Sequence, residues 1–402
     1  MNDLPIFLLL FSAVGIGWLL GRRSVAAIAN KADSSRDYYQ GLNYLVDGSP
    51  DGTADSFIDG LEVNSETLET HLAMGNLLRK RGEVDRAIRV HQNLLGRPSL
   101  PRSQVHLAHL ELARDYISAG LLDRAEGLLL ALVDESTEQR VVARRHLLEI
   151  YQSEREWQRA IDVAESMLPK KKLLLGSSFP EGQSQEGQQV GVALPHYYCE
   201  LAAEKILAGE VQIARSLLDK ALAWDKQCVR ASLMLGEVEY KVGHYPQAIK
   251  ALRRVKRQDP DYLPETVALL RQCYQQIDDE RSLKIYLEEC FGSDPSPNLL
   301  LAVAEDICDT GGKESAAEFL SGQLADQPSL RGLAKLINLQ LDFTDGPGHE
   351  NLGLLQVLVN RLISERPIYR CGHCGFSGRQ LHWFCPGCKY WGTLKSIRNG
   401  GE

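Results

Sequence analysis

Large apolar residues recur at intervals of three and four positions over most of the chain, as they do along one face of an amphipathic helix. A longer repeat is superimposed on this period: a small residue is followed by large apolar residues four and seven positions later. The clearest copy is LGEVEYKVGHYPQAIKALRRVKRQDP, in which Ala248 precedes Leu252 and Val255. This pattern predicts an all-α fold built from pairs of antiparallel helices.

The longer repeat has a measurable period. Its successive intervals include three of 34 residues in a row, which is the period of tetratricopeptide repeats. The aligned positions are Ala54, Ala87, Ala125, Ala160, Ala214, Ala248, Ser282 and Ala316. The region 35–330 therefore resembles the tetratricopeptide repeat family. The resemblance implies a solenoid of about eight repeats, and a capping helix pair is predicted at 329–365.

Two further positions of each repeat support this prediction. A small residue twelve positions before the aligned one would let the two helices approach closely, and a glycine five positions before it would end the first helix. The small residues are Gly75, Ala113, Ala202, Gly236 and Ala304, and the glycines are Gly82, Gly120, Gly209, Gly243 and Gly311.

One interval, from Ala160 to Ala214, is 54 residues long. The surplus lies at 170–191, a stretch rich in Gly, Gln and Ser, which predicts a loop insertion between the fourth and fifth repeats. The alternative is a hinge, or a docking segment that uses Leu173–Leu175 as an apolar tag.

The N-terminal segment contains no charge from Leu4 to Leu20, and Arg22 and Arg23 follow at once. This length is enough for a short membrane span, so residues 1–21 are predicted to form a single transmembrane anchor, with Trp18 at the inner interface. A cleaved signal peptide would need a positive N-terminal region, which MNDLP lacks. The flanking arginines predict that the C-terminal bulk lies on the cytoplasmic side of the inner membrane.

The C-terminal segment 366–402 contains two Cys-x-x-Cys pairs, Cys371/Cys374 and Cys385/Cys388. Two such pairs facing each other complete a tetrahedron of thiolates, so the four cysteines are predicted to bind one metal ion. The knuckles resemble those of rubredoxins, which bind iron, although zinc ribbons use the same four-sulfur geometry. Because all four positions are thiolate, the site is expected to be structural.

Composition limits the functions that this chain can have. Hydrophobic residues make up 44% and charged residues 24% of 402 residues, with a net charge of −8, which excludes a disordered class and disfavours nucleic acid as a partner. The C-terminal segment is +5, however, and has six aromatic residues. It either docks on the acidic repeats or binds nucleic acid, and the opposite charges favour docking. No phosphate loop, nucleophile elbow or carboxylate pair is present, so we do not expect an enzyme.

An N-terminal anchor, tetratricopeptide repeats and a four-cysteine module ending in CGHCG…CPGCKYWGT occur here in that order. This arrangement resembles the lipopolysaccharide assembly protein B family over the whole chain. The resemblance implies an inner-membrane adaptor that works with the protease FtsH and promotes degradation of LpxC, the deacetylase of lipid A synthesis. It also implies binding of other lipopolysaccharide-synthesis proteins. An RNA- or DNA-linked adaptor and an iron redox protein are the alternatives. Self-association and the groove residues that bind partners are left open.

Overall fold

The computed structural model describes Trp18 and residues 68–96, 100–169, 185–293 and 296–397. The chain divides into two compact units, Met1–Ile150 and Tyr151–Glu402. The repeat predicted around Ala54 lies outside the described residues, as does the predicted membrane span apart from Trp18. Within the described ranges, no helix is both long enough and apolar enough for a membrane span.

The first unit is helical throughout its described part. Leu68, Leu72, Leu94 and Ala108 form a buried cluster that joins its first three helices. The helices are α1 (Leu68–Lys80), α2 (Val84–Leu95), α3 (Arg102–Ser118), α4 (Leu122–Glu135) and α5 (Arg140–Glu154), the last of which ends in the second unit.

The second unit continues with further helix pairs. Its helices are α6 (Trp157–Met167), α7 (Gln185–Leu207), α8 (Val211–Trp224), α9 (Val229–Val242), α10 (Tyr245–Arg253), α11 (Val255–Gln258), α12 (Pro264–Gln276), α13 (Glu280–Ser293), α14 (Pro297–Gly311), α15 (Lys313–Asp326), α16 (Leu330–Leu341) and α17 (Pro347–Glu365), with a 3₁₀ turn at Pro260–Tyr262. The helix α7 begins inside the stretch assigned to the loop insertion, because glutamine is a good helix former. Residues 170–184 lie outside the described part.

Most of the aligned small residues pack as the repeat pattern requires. Six of them have no solvent exposure, whereas Ser282 is half-buried; the six are Ala87, Ala125, Ala160, Ala214, Ala248 and Ala316. At Gly236, a Cβ atom would lie 2.6 Å from the Leu252 side chain, so only glycine lets α9 approach α10 this closely.

The turn positions agree with the sequence prediction except at the eighth repeat. Gly82, Gly120, Gly209 and Gly243 have positive φ angles between 74° and 86°. The residue that takes this conformation after α14 is Gly312, with φ 88°, and not Gly311. The helix α14 extends through Gly311, so the residue with positive φ is displaced by one position.

The C-terminal module is the part of the described chain that contains strands. They are β1 (Tyr369–Cys371), β2 (Ser377–Gly378) and β3 (Leu394–Ser396), arranged in the order β2-β1-β3 with antiparallel pairing. Cys371 pairs with Leu394 across β1 and β3, which places the first metal-ligand candidate at the end of the central strand.

Candidate metal centre and its contact with the repeats

The structure brings together all four cysteines that the sequence singled out. Their sulfur atoms lie within 4.8 Å of one another, with Cys371 Sγ 3.8 Å from Cys388 Sγ and Cys374 Sγ 3.7 Å from Cys385 Sγ. Cys371 and Cys385 are buried, whereas Cys374 is exposed. Each close sulfur pair therefore takes one cysteine from each knuckle.

The two knuckles have the same backbone hydrogen bonds. The N–H of Cys371 donates to Phe376 O, and the N–H of Cys385 donates to Tyr390 O five residues later in the same way. A residue four positions after the first cysteine has a left-handed backbone in both: Gly375 with φ 77° and Lys389 with φ 60°. Because that conformation favours glycine, Lys389 adopts it at a cost in conformational free energy.

Three groups form hydrogen bonds with the thiol of Cys371. The Thr393 hydroxyl lies 3.2 Å from Cys371 Sγ, and the backbone N–H groups of His373 and Cys374 point at the same atom. Burial raises the pKa of Cys371, but these hydrogen bonds together outweigh it and lower the pKa to about 6. Burial and the neighbouring thiols raise the pKa of Cys388 to about 12. Crowded thiols of this kind give up their remaining protons when a cation is present.

The cluster fits a single metal ion. A tetrahedron with metal–sulfur bonds of about 2.3 Å has sulfur–sulfur edges of about 3.8 Å, close to the separations of the two pairs. A Cβ atom on Gly387 would lie 3.2 Å from Cys374 Sγ. The missing side chain in the second knuckle therefore leaves room for a sulfur of the first. A bound metal would supply the attraction that holds the two knuckles together. The cluster and its fold indicate one metal ion without selecting iron or zinc.

The module packs on the second unit through Trp391. Its indole ring is 7% exposed and lies flat against the imidazole of His196, with ring centroids 5.0 Å apart. Trp157 and Tyr197 contact the indole edge-on, and Trp391 Nε1 donates to Gln152 Oε1 at 3.1 Å. The module thus places its most buried aromatic side chain in a pocket made by α5, α6 and α7.

A second set of contacts joins the module to the 3₁₀ turn and to α12. Trp383 stacks on Tyr262, whose hydroxyl donates to Leu394 O at 2.7 Å. Lys395 Nζ lies 2.7 Å from Asp259 and 3.0 Å from Asp261. Tyr369 donates to Glu265 at 2.7 Å. Basic and aromatic groups of the module therefore meet acidic groups of the repeats, as the charge difference predicted.

Several residues of this contact carry no signal in the sequence. His196 and Gln152 lie on helices without any motif, and Tyr262 belongs to a short turn after a proline. Burial lowers the pKa of His196 to about 3, and the positive charge of Arg230 adds to the shift. The imidazole is therefore neutral where it stacks on Trp391.

The first helices of successive repeats are joined by ion pairs. In the first unit, Arg79 lies 2.7 Å from Asp115. In the second unit, Arg230 pairs with Glu200 at 2.9 Å, and Arg271 with Glu305 at 3.5 Å. Both positive and negative side chains therefore lie on these first helices.

The fold and the cysteine cluster define a tetratricopeptide repeat protein with a rubredoxin-like module. Models described as tetratricopeptide repeat match residues 70–103 and 205–273, and the model described as rubredoxin metal binding domain matches residues 369–396. Lipopolysaccharide assembly protein B of Escherichia coli (strain K12) is 39% identical over 398 residues, with 98% of both chains covered. The protein of that name from Haemophilus influenzae is 36% identical over 407 residues, again with 98% of both covered.

The chain therefore belongs to the lipopolysaccharide assembly protein B family, as its motifs implied. Among solved structures, the C-terminal part of a repeat protein from Cytophaga hutchinsonii is 14% identical, with a TM-score of 0.36, and the match covers 66% of this chain and 99% of that chain.

Proposed function

We propose that this protein is an inner-membrane adaptor that regulates lipopolysaccharide synthesis by binding proteins along its repeats and promoting FtsH-dependent degradation of LpxC. The observation that carries the proposal is the 39% identity to a lipopolysaccharide assembly protein over 98% of both chains. The helical repeats support it, because stacked helix pairs offer a long surface for protein partners and no enclosed site for chemistry.

In this proposal, residues 1–21 anchor the chain in the inner membrane and the remainder faces the cytoplasm. The anchor matters because FtsH is a membrane protease, so the adaptor has to stay beside it. A C-terminal fusion to alkaline phosphatase should be inactive, since that enzyme needs an oxidising compartment for its disulfides. Strong activity of the fusion would reject this orientation.

Cys371, Cys374, Cys385 and Cys388 are the proposed ligands of one iron or zinc ion, with a structural role. The ion would hold the knuckles together and so keep Trp391 and Trp383 against the repeats. A second candidate function, an adaptor whose module binds nucleic acid, loses support from these contacts. A nucleic-acid module needs exposed faces for stacking bases, and Trp391 is covered by His196.

A charge reversal on a first helix tests partner binding. Arg271 lies on α12, where its side chain is 22% exposed and pairs with Glu305 and Asp309. Lys256 is the matched control: its side chain is 24% exposed and pairs with Glu289, but it lies on α11, after the second helix of its repeat. We expect Arg271→Glu to reduce recovery of FtsH and LpxC from detergent-solubilised membranes and to lengthen the lifetime of LpxC.

The control variant Lys256→Glu should leave both measurements unchanged. If the full-length protein recovers neither FtsH nor LpxC, and its deletion leaves the lifetime of LpxC unchanged, the proposed function is wrong. Binding of RNA with a steep salt dependence in the same preparation would instead favour the second candidate.

A further inference from the structure

Thr393 connects the cysteine cluster with the surface on which the metal module packs. Its hydroxyl lies 3.2 Å from Cys371 Sγ, which is 22 residues away in sequence. The other two hydrogen bonds to this sulfur come from backbone N–H groups of the first knuckle itself, whereas Thr393 lies outside both knuckles. The position of its hydroxyl is therefore set by the backbone that carries it.

The repeats hold the backbone on both sides of Thr393. The Tyr262 hydroxyl donates to Leu394 O at 2.7 Å, and Gly392 O lies 3.4 Å from the same hydroxyl oxygen. Gly392 also packs closely on α7, since a Cβ atom there would lie 3.3 Å from His196 Nε2. A single side chain of the repeats thus contacts the carbonyl groups before and after Thr393.

We propose that Thr393 is a positioning residue of the metal centre, whose hydroxyl reaches Cys371 Sγ because Tyr262 of the repeats fixes the backbone around it. Docking of the module on the repeats then raises the affinity of the module for the metal ion. The inference rests on the proposed ligand role of the four cysteines and adds a residue outside the two Cys-x-x-Cys pairs. Because such a coupling is reciprocal, the bound ion strengthens docking by the same factor.

The charge of the site gives the hydroxyl its effect. Four thiolates around a divalent cation leave a surplus of negative charge on sulfur. A hydrogen bond donated to a charged group is stronger than one between neutral groups, so the Thr393 hydroxyl stabilises the metal-bound thiolate more than the protonated thiol. Partners of this kind orient the ligand that they contact, and the loss of one weakens metal binding by about 10–100-fold.

Packing of the strand does not account for the direction of this hydroxyl. Thr393 is half-buried, and its backbone oxygen accepts a hydrogen bond from the N–H of Gly372 at 2.9 Å. The backbone alone thus joins this segment to the first knuckle, and the hydroxyl adds a separate contact with the sulfur. Removing the hydroxyl while keeping the branched side chain distinguishes the two roles.

Competition for Zn²⁺ with a chromophoric chelator tests the hydroxyl in the full-length protein in detergent. Thr393→Val keeps the branched shape and loses the hydroxyl, so its affinity for Zn²⁺ should fall by about tenfold or more. Thr393→Ser is the matched control, because it keeps the hydroxyl and should bind nearly as tightly as the wild type. In the cobalt(II)-loaded protein, the thiolate-to-metal charge-transfer band should move to longer wavelength in Thr393→Val, since Cys371 Sγ loses a donor, and should stay in place in Thr393→Ser.

A double-mutant cycle tests the link to the repeats. Tyr262→Phe removes the hydroxyl that holds the backbone around Thr393 and keeps the ring that stacks on Trp383. It should lower the affinity for Zn²⁺ by itself but add little to Thr393→Val, because both substitutions disable the same contact. Tyr369→Phe is the matched control: it also removes a hydroxyl that joins module and repeats, through Glu265, but its effect on affinity should multiply with that of Thr393→Val.

Three results would overturn the inference. The first is a Thr393→Val variant that binds Zn²⁺ as tightly as the wild type. The second is an equal loss of affinity in Thr393→Ser, which would assign the effect to packing. The third is independent effects of Tyr262→Phe and Thr393→Val, which would mean that the hydroxyl reaches the sulfur without the repeats.

Failure of the ligand assignment would give a different result, because the wild-type protein itself would then bind no Zn²⁺. If circular dichroism shows that Thr393→Val does not fold, Thr393→Ala takes its place in each measurement, with the same expected loss of affinity and the same shift of the cobalt band.

Discussion

The indole of Trp391 and the imidazole of His196 lie nearly parallel, at 17° with centroids 5.0 Å apart. Trp391 follows the second knuckle of the metal module, and His196 lies in the middle of α7. This stacked pair couples the module to the repeats. Because burial and Arg230 lower the pKa of His196 to about 3, the contact depends on a neutral imidazole.

The attachment of the module should therefore weaken in mild acid. When the module is released, His196 regains its ordinary pKa of 6.5. The released state then binds more protons than the docked state. The contribution of His196 to the stability of docking is therefore fully present above pH 6.5 and is lost progressively as the pH falls towards 3. The loss is about 1.4 kcal/mol per pH unit below 6.5. We expect the urea midpoint for exposure of Trp391, followed by fluorescence against a Trp391→Phe reference, to fall between pH 7 and pH 5.5.

His196→Phe is the control for this effect. Phenylalanine keeps a flat ring beside Trp391 and cannot bind a proton. Among the described residues, Nδ1 of His196 has no hydrogen-bonding partner, so the substitution removes no bond to that atom. The variant should lose the pH dependence while its metal content stays constant. An equal pH dependence in His196→Phe would assign the effect to another group.

The sequence predicted the repeat core because one residue type recurs at one position. Six of the aligned alanines are fully buried, and four of the five predicted glycines have the left-handed turn. It also placed the four cysteines together, since two Cys-x-x-Cys pairs restrict the chain locally. The displaced turn at Gly312 was not predictable, because α14 simply continues for one more residue.

The contact between module and repeats was predictable in kind but not in detail. Opposite charge and an excess of aromatic residues indicated docking. The partners depend on distant parts of the chain: Gln152 and Trp391 are 239 residues apart in sequence. A single histidine on an otherwise ordinary helix gives no sign that it stacks on a tryptophan. The only sign of a left-handed backbone at Lys389 was its position in the second knuckle.

Gly236→Ala should destabilise the second unit. The added Cβ would lie 2.6 Å from Leu252, so α9 and α10 would have to separate or Leu252 would have to leave its rotamer. Overpacking of this kind costs about 1–3 kcal/mol, measurable as a lower urea midpoint. Gly322→Ala is the control, since a Cβ there meets nothing within 4 Å. Combining Gly236→Ala with Leu252→Ala should cost less than the two separate losses added together; simple additivity would mean that the two residues do not collide.

Lys389→Gly should stabilise the metal module. Lys389 has φ 60°, and releasing a non-glycine residue from this conformation is worth about 1 kcal/mol. The loss of the Lys389 ammonium, 5.7 Å from the Phe384 ring, offsets part of the gain. We expect slower release of the metal to a chelator at constant pH. Lys389→Ala separates the two effects, because it removes the charge and keeps the strain; if it slows release as much as glycine does, strain is not the cause.

Cys371→Ser should remove the metal and loosen the attachment of the module. Serine offers no thiolate, and the remaining three sulfurs cannot complete the tetrahedron. Metal measured by elemental analysis should fall well below one ion per chain. Trp391 lies three residues after Cys388, so its position depends on the second knuckle. Without the metal, acrylamide should quench its fluorescence more strongly, judged again against Trp391→Phe.

Cys308→Ser is the matched control for the metal prediction. Cys308 is half-buried on α14 and lies outside the four-sulfur cluster, so metal content and quenching should both stay at the wild-type level. Unchanged metal stoichiometry in the double variant Cys371→Ser, Cys388→Ser would reject the ligand assignment. A loss of metal with Trp391 still shielded would support the ligand assignment but show that docking survives without the ion. Tyr262 and the Lys395 ion pairs would then hold the module by themselves.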